Sequence, residues 1–435
     1  GTARLQRFEG LSGRYAWHVA QVDNLTHTLA ALVLADATLS ATSKRSGSPP
    51  SQAFRDATFA VSVLANNFPD LDFVYAGITD GKLGYLLHHR GHTHTLALAV
   101  PQSLVCYGLV ALALWSSKKR VSKQEHLTLL AVALIGPLLH VAMDFTNNYG
   151  VHPFWPLDDR WYYGDLVFII EPWLMIGLIL ASLSALRTKL SRALLLLAML
   201  GLLALAWIMP LIHPLVALGL TAFAALGVWQ LHDAGARKRL LFAGIGIGAL
   251  YGTLLSARHQ ALALVQEELA VEPPVTLLGI SSAPTPGNPL CWSVLAVQHA
   301  GPHYRVRQAL VAPWPALWPA GSCRWPVTET TAPLGSPSAQ VAPERRKYLH
   351  WQTEFRAPFA ELRSLYRENC TAAALLQFSR VPFWTKLEDG NTVVGDIRYD
   401  REPGPGFTEI ELVPGEPCPR NLPPWQAPLQ RWLEH

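Results

Sequence analysis

Between residues 95 and 255 the chain strings together apolar stretches that are too long and too poorly charged for the core of a water-soluble fold. A helix that crosses a bilayer needs about 20 mostly apolar residues. Residues 95–115, 127–145, 166–186, 193–210, 211–231 and 240–255 are the expected spans. Two shorter stretches, 28–39 and 57–67, are expected to form a helical hairpin that dips into the membrane or packs on the bundle. Only 15% of the chain is charged, against about 25% in soluble domains. The deficit lies before residue 258, and the composition of 258–435 is that of a soluble domain. The expected class is therefore mainly α: a polytopic helical membrane domain at 23–257, then a small strand-rich α+β domain at 258–435. Residues 1–22 are polar, lack the apolar core of a signal peptide, and read as a tag remnant or upstream leader. A net charge of +4 with no dense Lys/Arg run argues against nucleic acid as a partner.

Basic residues mark the cytoplasmic side of a membrane protein. Four clusters stand between expected segments: Lys44, Arg45 and Arg55; Lys118, Lys119, Arg120 and Lys123; Arg187, Lys189 and Arg192; Arg237, Lys238 and Arg239. Alternating spans put all four on one face. The other face then receives 23–27, 66–94, 147–165 and the C-terminal domain. Cys106 lies inside a span as a small apolar filler. Cys291, Cys323, Cys370 and Cys418 permit two disulfides in three pairings, or four free thiols. In the C-terminal domain, strands are expected at 292–298, 304–311, 381–387, 392–399 and 407–413, with a hairpin at Asp389-Gly390 and helices at 259–272 and 359–378.

The outer face collects histidines and acids. They are His27, Asp70, Asp72, the cluster His88, His89, His92 and His94, then His140, Asp144, His152, Asp165 and Glu171. His140 and Asp144 are four apart on an expected helix and so share a face. Imidazole with carboxylate suits Zn, Mn or Fe, and aspartates on either side could bridge two ions. Ionisable groups at membrane depth are costly, which makes them functional candidates. Each also has a purely structural reading. His27, Asp70 and Asp72 could be caps or turn residues, and His140 a core histidine bonded to backbone. His88 and His92 read as interfacial, His213 as a loop residue, and Glu171 as a partner of Arg160 or a group that orients a ligand.

Asp23 to His27, Pro69-Asp70-Leu71-Asp72, His89 to His94 and His140-x-x-x-Asp144 resemble the YdjM-like family across roughly 23–175, four motifs in order. The resemblance implies a bacterial inner-membrane, metal-dependent hydrolase. It implies metal ligation by His27, Asp70, Asp72, His89, His94, His140 and Asp144. The order of ligands is also similar to zinc-dependent phospholipase C and the P1-type nucleases, though a second His-x-x-x-Asp/Glu pair is missing.

The resulting expectation is a multi-pass inner-membrane hydrolase with its C-terminal domain in the periplasm. One or two divalent ions, zinc first and Mn or Fe next, would activate water against a phosphoester. Asp72, Arg90 and His152 would take part in catalysis, Arg90 as an anion clamp. The substrate would be a membrane lipid or lipid-linked phosphate. Two rival readings are an ion-coupled transporter using the His/Asp set and a metal-stabilised envelope scaffold.

Overall fold

The computed structural model describes residues 2–434 except 77, 80, 184, 187, 232, 271–274, 326–330, 338–344 and 401–403; for 2–23 and 75–76 it describes backbone alone. Ten helices come first: α1 (Thr2–Ser46), α2 (Gln52–Asn67), α3 (Phe73–Ala76), α4 (Gly81–His88), α5 (Leu96–Ser116), α6 (Lys123–Phe145), α7 (Pro172–Ser182), α8 (Lys189–Ile208), α9 (Pro214–Leu231) and α10 (Ala236–Ala270). Among the described residues, six are long and apolar enough to cross a membrane: the Asn24–Ser46 part of α1, then α5, α6, α8, α9 and α10.

In the helical region three boundaries differ most from expectation. The stretch expected as a short helix at 28–39 belongs to a 23-residue candidate span. Asp36 interrupts its apolar run, but this carboxylate is buried and pairs with Arg239 of α10 at 2.6 Å. The span expected at 166–186 is reduced to the 11 residues of α7. Residues 164–167 are held as loop instead, because Gly164 N–H donates to the Phe145 carbonyl, and Leu166 and Val167 donate to the Thr146 carbonyl. The last expected span runs without a break into the helix expected at 259–272, giving α10 its 35 residues; residues 271–272 lie outside the described set.

The bundle has two distinct ends. At one, Lys119 pairs with Asp56 at 3.7 Å, and Arg55 donates to the Ala185 carbonyl at 2.7 Å. These are the basic loops. At the other end lie His27 early in the α1 span, Asn66 at the end of α2, His94 just before α5, and Asp144 at the end of α6.

The C-terminal part is an antiparallel meander, β1 (Thr276–Thr285), β2 (Asn288–Ala300), β3 (His303–Val311) and β4 (Leu349–Pro358). Helices α11 (Phe359–Glu368) and α12 (Cys370–Leu376) follow, then a three-stranded sheet of β5 (Pro382–Lys386), β6 (Thr392–Asp396) and β7 (Ile410–Leu412). The turn at Asp389-Gly390 joins β5 to β6 as expected. Alternate residues of β2 face opposite ways, and both faces are covered. Trp292 and Val294 pack on Leu254, Ala257 and Ala261 of α10. Leu295 and Val297 join a core with Leu362 and Leu375. That second core also takes in Leu86, Leu87, Tyr149 and Trp161, so the domain is seated on the loops at the His/Asp end. Trp425 Nε1 donates to the Leu87 carbonyl at 2.6 Å, and Arg380 pairs with Asp165 at 2.8 Å.

Of the three possible pairings, the structure has Cys291–Cys323 and Cys370–Cys418, and Cys106 stays buried as a free thiol. Thiol alkylation of unfolded, unreduced protein is therefore expected to add one label per chain, and five after reduction. Five labels without reductant would contradict these pairings.

Candidate metal centre

The site is assembled from four chain segments whose local sequences fix their geometry. Pro69 opens a tight turn, Pro69–Asp72, that buries Asp70 and Asp72 and leaves Leu71 outside. Arg90 adopts a left-handed backbone, φ 59°, a conformation costly for a side chain this large. It redirects the chain into the turn His92–His94, after which Thr95 caps α5 by accepting from Leu98 N–H at 3.0 Å. On α6, Gly136 lies one turn before His140. A Cβ there would stand 2.7 Å from Ala65 Cβ, so only glycine lets α6 come this close to α2. The approach brings His140 Nδ1 to 2.7 Å from the Asn66 carbonyl.

That contact decides how His140 is protonated. A carbonyl only accepts, so Nδ1 carries the hydrogen and the neutral ring presents a bare Nε2. His94 is fixed the same way. The Thr93 hydroxyl gives its one proton to Asp72 Oδ2 at 2.9 Å. Its oxygen, 3.0 Å from His94 Nδ1, must then accept from that nitrogen. Asp72 Oδ2 lies a further 3.3 Å from His94 Nδ1. Both tautomers are assigned from these acceptor-only neighbours.

The two bare Nε2 atoms face each other at 3.0 Å. Asp70 Oδ1 is 3.3 Å from each. Asp144 Oδ2 is 3.0 Å from His94 Nε2 and 3.2 Å from His140 Nε2. Asp144 Oδ2 is buried and has no aligned hydrogen-bond donor among the described residues. Four lone pairs thus converge on one point, an arrangement that repels itself unless a cation sits there. Ligand distances of about 2.0–2.2 Å around a tetrahedral ion place neighbouring donors about 3.3–3.6 Å apart. The observed separations are within a few tenths of an ångström of that, and the residues fit a divalent ion. Asp70, Asp72 and His89 form a second group whose ligand atoms lie within 4.8 Å of one another, sharing Asp70 with the first.

The surroundings orient these ligands. Asp72 accepts from Arg90 N–H at 2.9 Å on Oδ2 and lies 3.0 Å from His89 Nδ1 through Oδ1. Asp144 Oδ1, turned away from the two Nε2 atoms, meets Arg90 Nη2 at 2.9 Å and His27 Nε2 at 3.2 Å. The His27 ring stacks on His140 at 3.7 Å. Burial alone would raise the Asp72 carboxyl, but His89 and His94 hold it well below the usual carboxylate range. Burial would likewise lower His94, but hydrogen bonds to Asp144, Asp70 and Asp72 hold it well above its ordinary value, so that without an ion a proton takes the cation's place on its Nε2. The centre attracts positive charge.

The structure thus brings Asp70, His94, His140 and Asp144 onto one point, sets Asp72 and His89 beside it, and places His27 on the far oxygen of Asp144. Arg90 is 1% exposed. Its guanidinium is engaged by Asp144 and by Asn147 Oδ1 at 2.8 Å. His152 is buried between Trp425 and Trp161, ring centroids at 3.7 and 3.9 Å, with Nδ1 3.3 Å from the Arg90 carbonyl. Among the described residues it makes no contact with the carboxylates. His88 bonds the Asn421 carbonyl, and His92 packs between Trp155 and Trp425. Glu171 does not pair with Arg160, which holds Asp158; it caps α7 through Trp173 N–H. Thr93, the Asn66 carbonyl and Asn147 are the site groups that sequence reasoning missed. Thr93 lies inside the His89–His94 motif, whereas a backbone carbonyl leaves no sequence signal.

Burial pushes His152 down to about 3, below its ordinary value near 6.5. The unfolded chain takes up a proton as pH falls through about 6.5 while the native ring refuses it. Its contribution to stability is complete above that pH and declines towards pH 3. The stability of wild type relative to His152→Phe should therefore fall by up to about 1.4 kcal/mol per pH unit across that window. Parallel pH profiles of thermal unfolding would contradict this.

The sequence profile of the YdjM inner membrane protein family matches residues 22–213, the stretch that supplies every candidate ligand. No curated protein and no solved structure matches the chain. The similarity to zinc-dependent phospholipase C and P1-type nucleases thus finds no support. What the fold and site define is a polytopic membrane protein, similar over those residues to the YdjM inner membrane proteins, with a buried His/Asp cluster able to hold a metal ion.

Proposed function

We propose that the chain is a membrane-embedded, metal-dependent hydrolase that cleaves a phosphoester of a lipid or lipid-linked phosphate at the extracytoplasmic face. The observation that carries this reading is the convergence of His94 Nε2, His140 Nε2, Asp70 Oδ1 and Asp144 Oδ2, with separations of 3.0–3.3 Å where the bare imidazole nitrogens meet each other and the carboxylates. A bound divalent ion, zinc first by donor chemistry, supplies a Lewis acid and makes a coordinated water acidic. Asp70, His94, His140 and Asp144 would hold it, and Asp72 and His89 with Asp70 would hold a second. Asp72 and the Asn66 carbonyl keep both imidazoles in the ligating tautomer. Arg90 is a positioning residue for Asp144, and its charge favours an anionic substrate nearby. His152 supports the Arg90 backbone. The site lies at the ends of candidate spans, where a lipid phosphate resides. Two disulfides, and basic loops gathered at the opposite end, support a periplasmic C-terminal domain of an inner-membrane protein.

The test is turnover of aryl phosphomonoesters, phosphodiesters and phospholipids by detergent-purified protein supplied with zinc or manganese. Metal-dependent release of product is expected, with at least about 100-fold loss in Asp144→Asn, on the scale of catalytic electrostatic groups. A metal-loaded wild type that hydrolyses none of them would remove the hydrolase reading. One observation favours a structural metal instead: Trp425, from the end of the chain, lies against His92 and His152 beside the centre. On that reading metal loss would loosen the domain without changing any turnover. Cation flux in proteoliposomes without hydrolysis would point to a transporter.

A further inference from the structure

Away from the carboxylates, a cavity of about 490 Å³ lies between α7, α9, α10 and the β1–β2 turn. It falls within the range of ligand pockets, about 300–1,000 Å³. Its walls are almost wholly apolar, with Phe223, Phe242, Ile247 and Leu250 among them. The space exists because side chains are missing. At Gly177 and Gly246, both lining residues, an added Cβ would meet nothing within 4 Å. α9 and α10 are candidate membrane spans, so the medium around this space is hydrocarbon. At the end nearest the C-terminal domain, Trp173 Nε1 is satisfied by the Gly287 carbonyl at 2.7 Å. Trp318, also lining the cavity, has a buried indole N–H with no hydrogen-bond partner among the described residues. An orphaned buried donor is unfavourable unless a ligand supplies the acceptor.

We propose that this cavity holds one acyl chain of a bilayer glycerophospholipid, its ester carbonyl accepting from Trp318. Long, almost wholly apolar walls, with the polar groups Trp318, Asn288 and Thr253 also in the lining, match an acyl ester. The site is independent of the metal centre and of the hydrolase reading. It touches the same support, however: α10 gives Leu250 to the cavity, while Tyr251 sets its hydroxyl 3.4 Å from that of Thr146, two residues beyond Asp144.

The experiment is native mass spectrometry of protein purified in mild detergent and re-lipidated with phosphatidylethanolamine and phosphatidylglycerol vesicles. Wild type is expected to retain one phospholipid under activation that strips the surrounding lipid. Gly177→Leu/Gly246→Leu, which fills the cavity, should lower that occupancy at least about tenfold with metal content unchanged. Trp318→Phe keeps the cavity and removes the donor, and should weaken retention about fivefold, the worth of one hydrogen bond. Wild-type occupancy in both variants, or a wild type that retains no phospholipid, would overturn the proposal. Should the double variant fail to fold, Trp318→Phe decides alone.

Discussion

Arg90→Ala is expected to destabilise the metal-free protein by about 3–5 kcal/mol, the cost of removing one partner from a buried ion pair. The guanidinium is 1% exposed and spans Asp144 at 2.9 Å and Asn147 at 2.8 Å. Three buried carboxylates, Asp70, Asp72 and Asp144, crowd this region, and Arg90 supplies a permanent positive charge among them. Its loss leaves Asp144 uncompensated in a low dielectric. Arg90→Lys should recover little, since a point charge cannot reach two acceptors at the angle of a planar fork. Added zinc should restore part of the loss, because a cation bound only by the native state stabilises it. Thermal unfolding with and without zinc checks both points. An Arg90→Ala protein as stable as wild type would show that the carboxylates are neutral.

Asp70→Asn should have the second large effect. Asp70 is the residue common to both candidate ligand groups, so its carboxylate is the one whose loss affects both. Metal affinity is expected to fall by more than the 10–100-fold typical of residues that merely orient ligands. His89→Gln touches only the second group and should leave the first ion in place. Titration with a chromophoric zinc competitor separates the two. Equal losses in both variants would mean that the groups are not distinct.

Much of this centre was legible in the sequence because its ligands are local. His140 and Asp144 share a helix face by spacing alone, and Pro69 ahead of Asp70 and Asp72 marks a turn. Arg90 and His152 show where that legibility stops. Beside four histidines, Arg90 looks like an anion clamp, but a left-handed backbone turns it onto Asp144, and no local pattern announces that. His152 looks like a catalytic group until Trp425 stacks on it from the far end of the chain. The fold divides the same way. Spans of uniform apolarity, α5 and α6, were readable to within a few residues. The α1 span was not, because Asp36 breaks its pattern and its partner Arg239 lies on α10. Residues 166–170 are as apolar as a helix start, yet Thr146 backbone bonds hold part of them as loop. Hydropathy does not see such bonds.

The central claim is that the buried His/Asp cluster is a metal centre, and elemental mass spectrometry of the purified protein tests it most directly. Wild type should carry one or two zinc, manganese or iron ions per chain, and a folded His140→Ala/Asp144→Ala variant should carry none. A wild type that holds no metal, and takes none up when offered, would contradict the claim and leave protons as the cations this cluster binds.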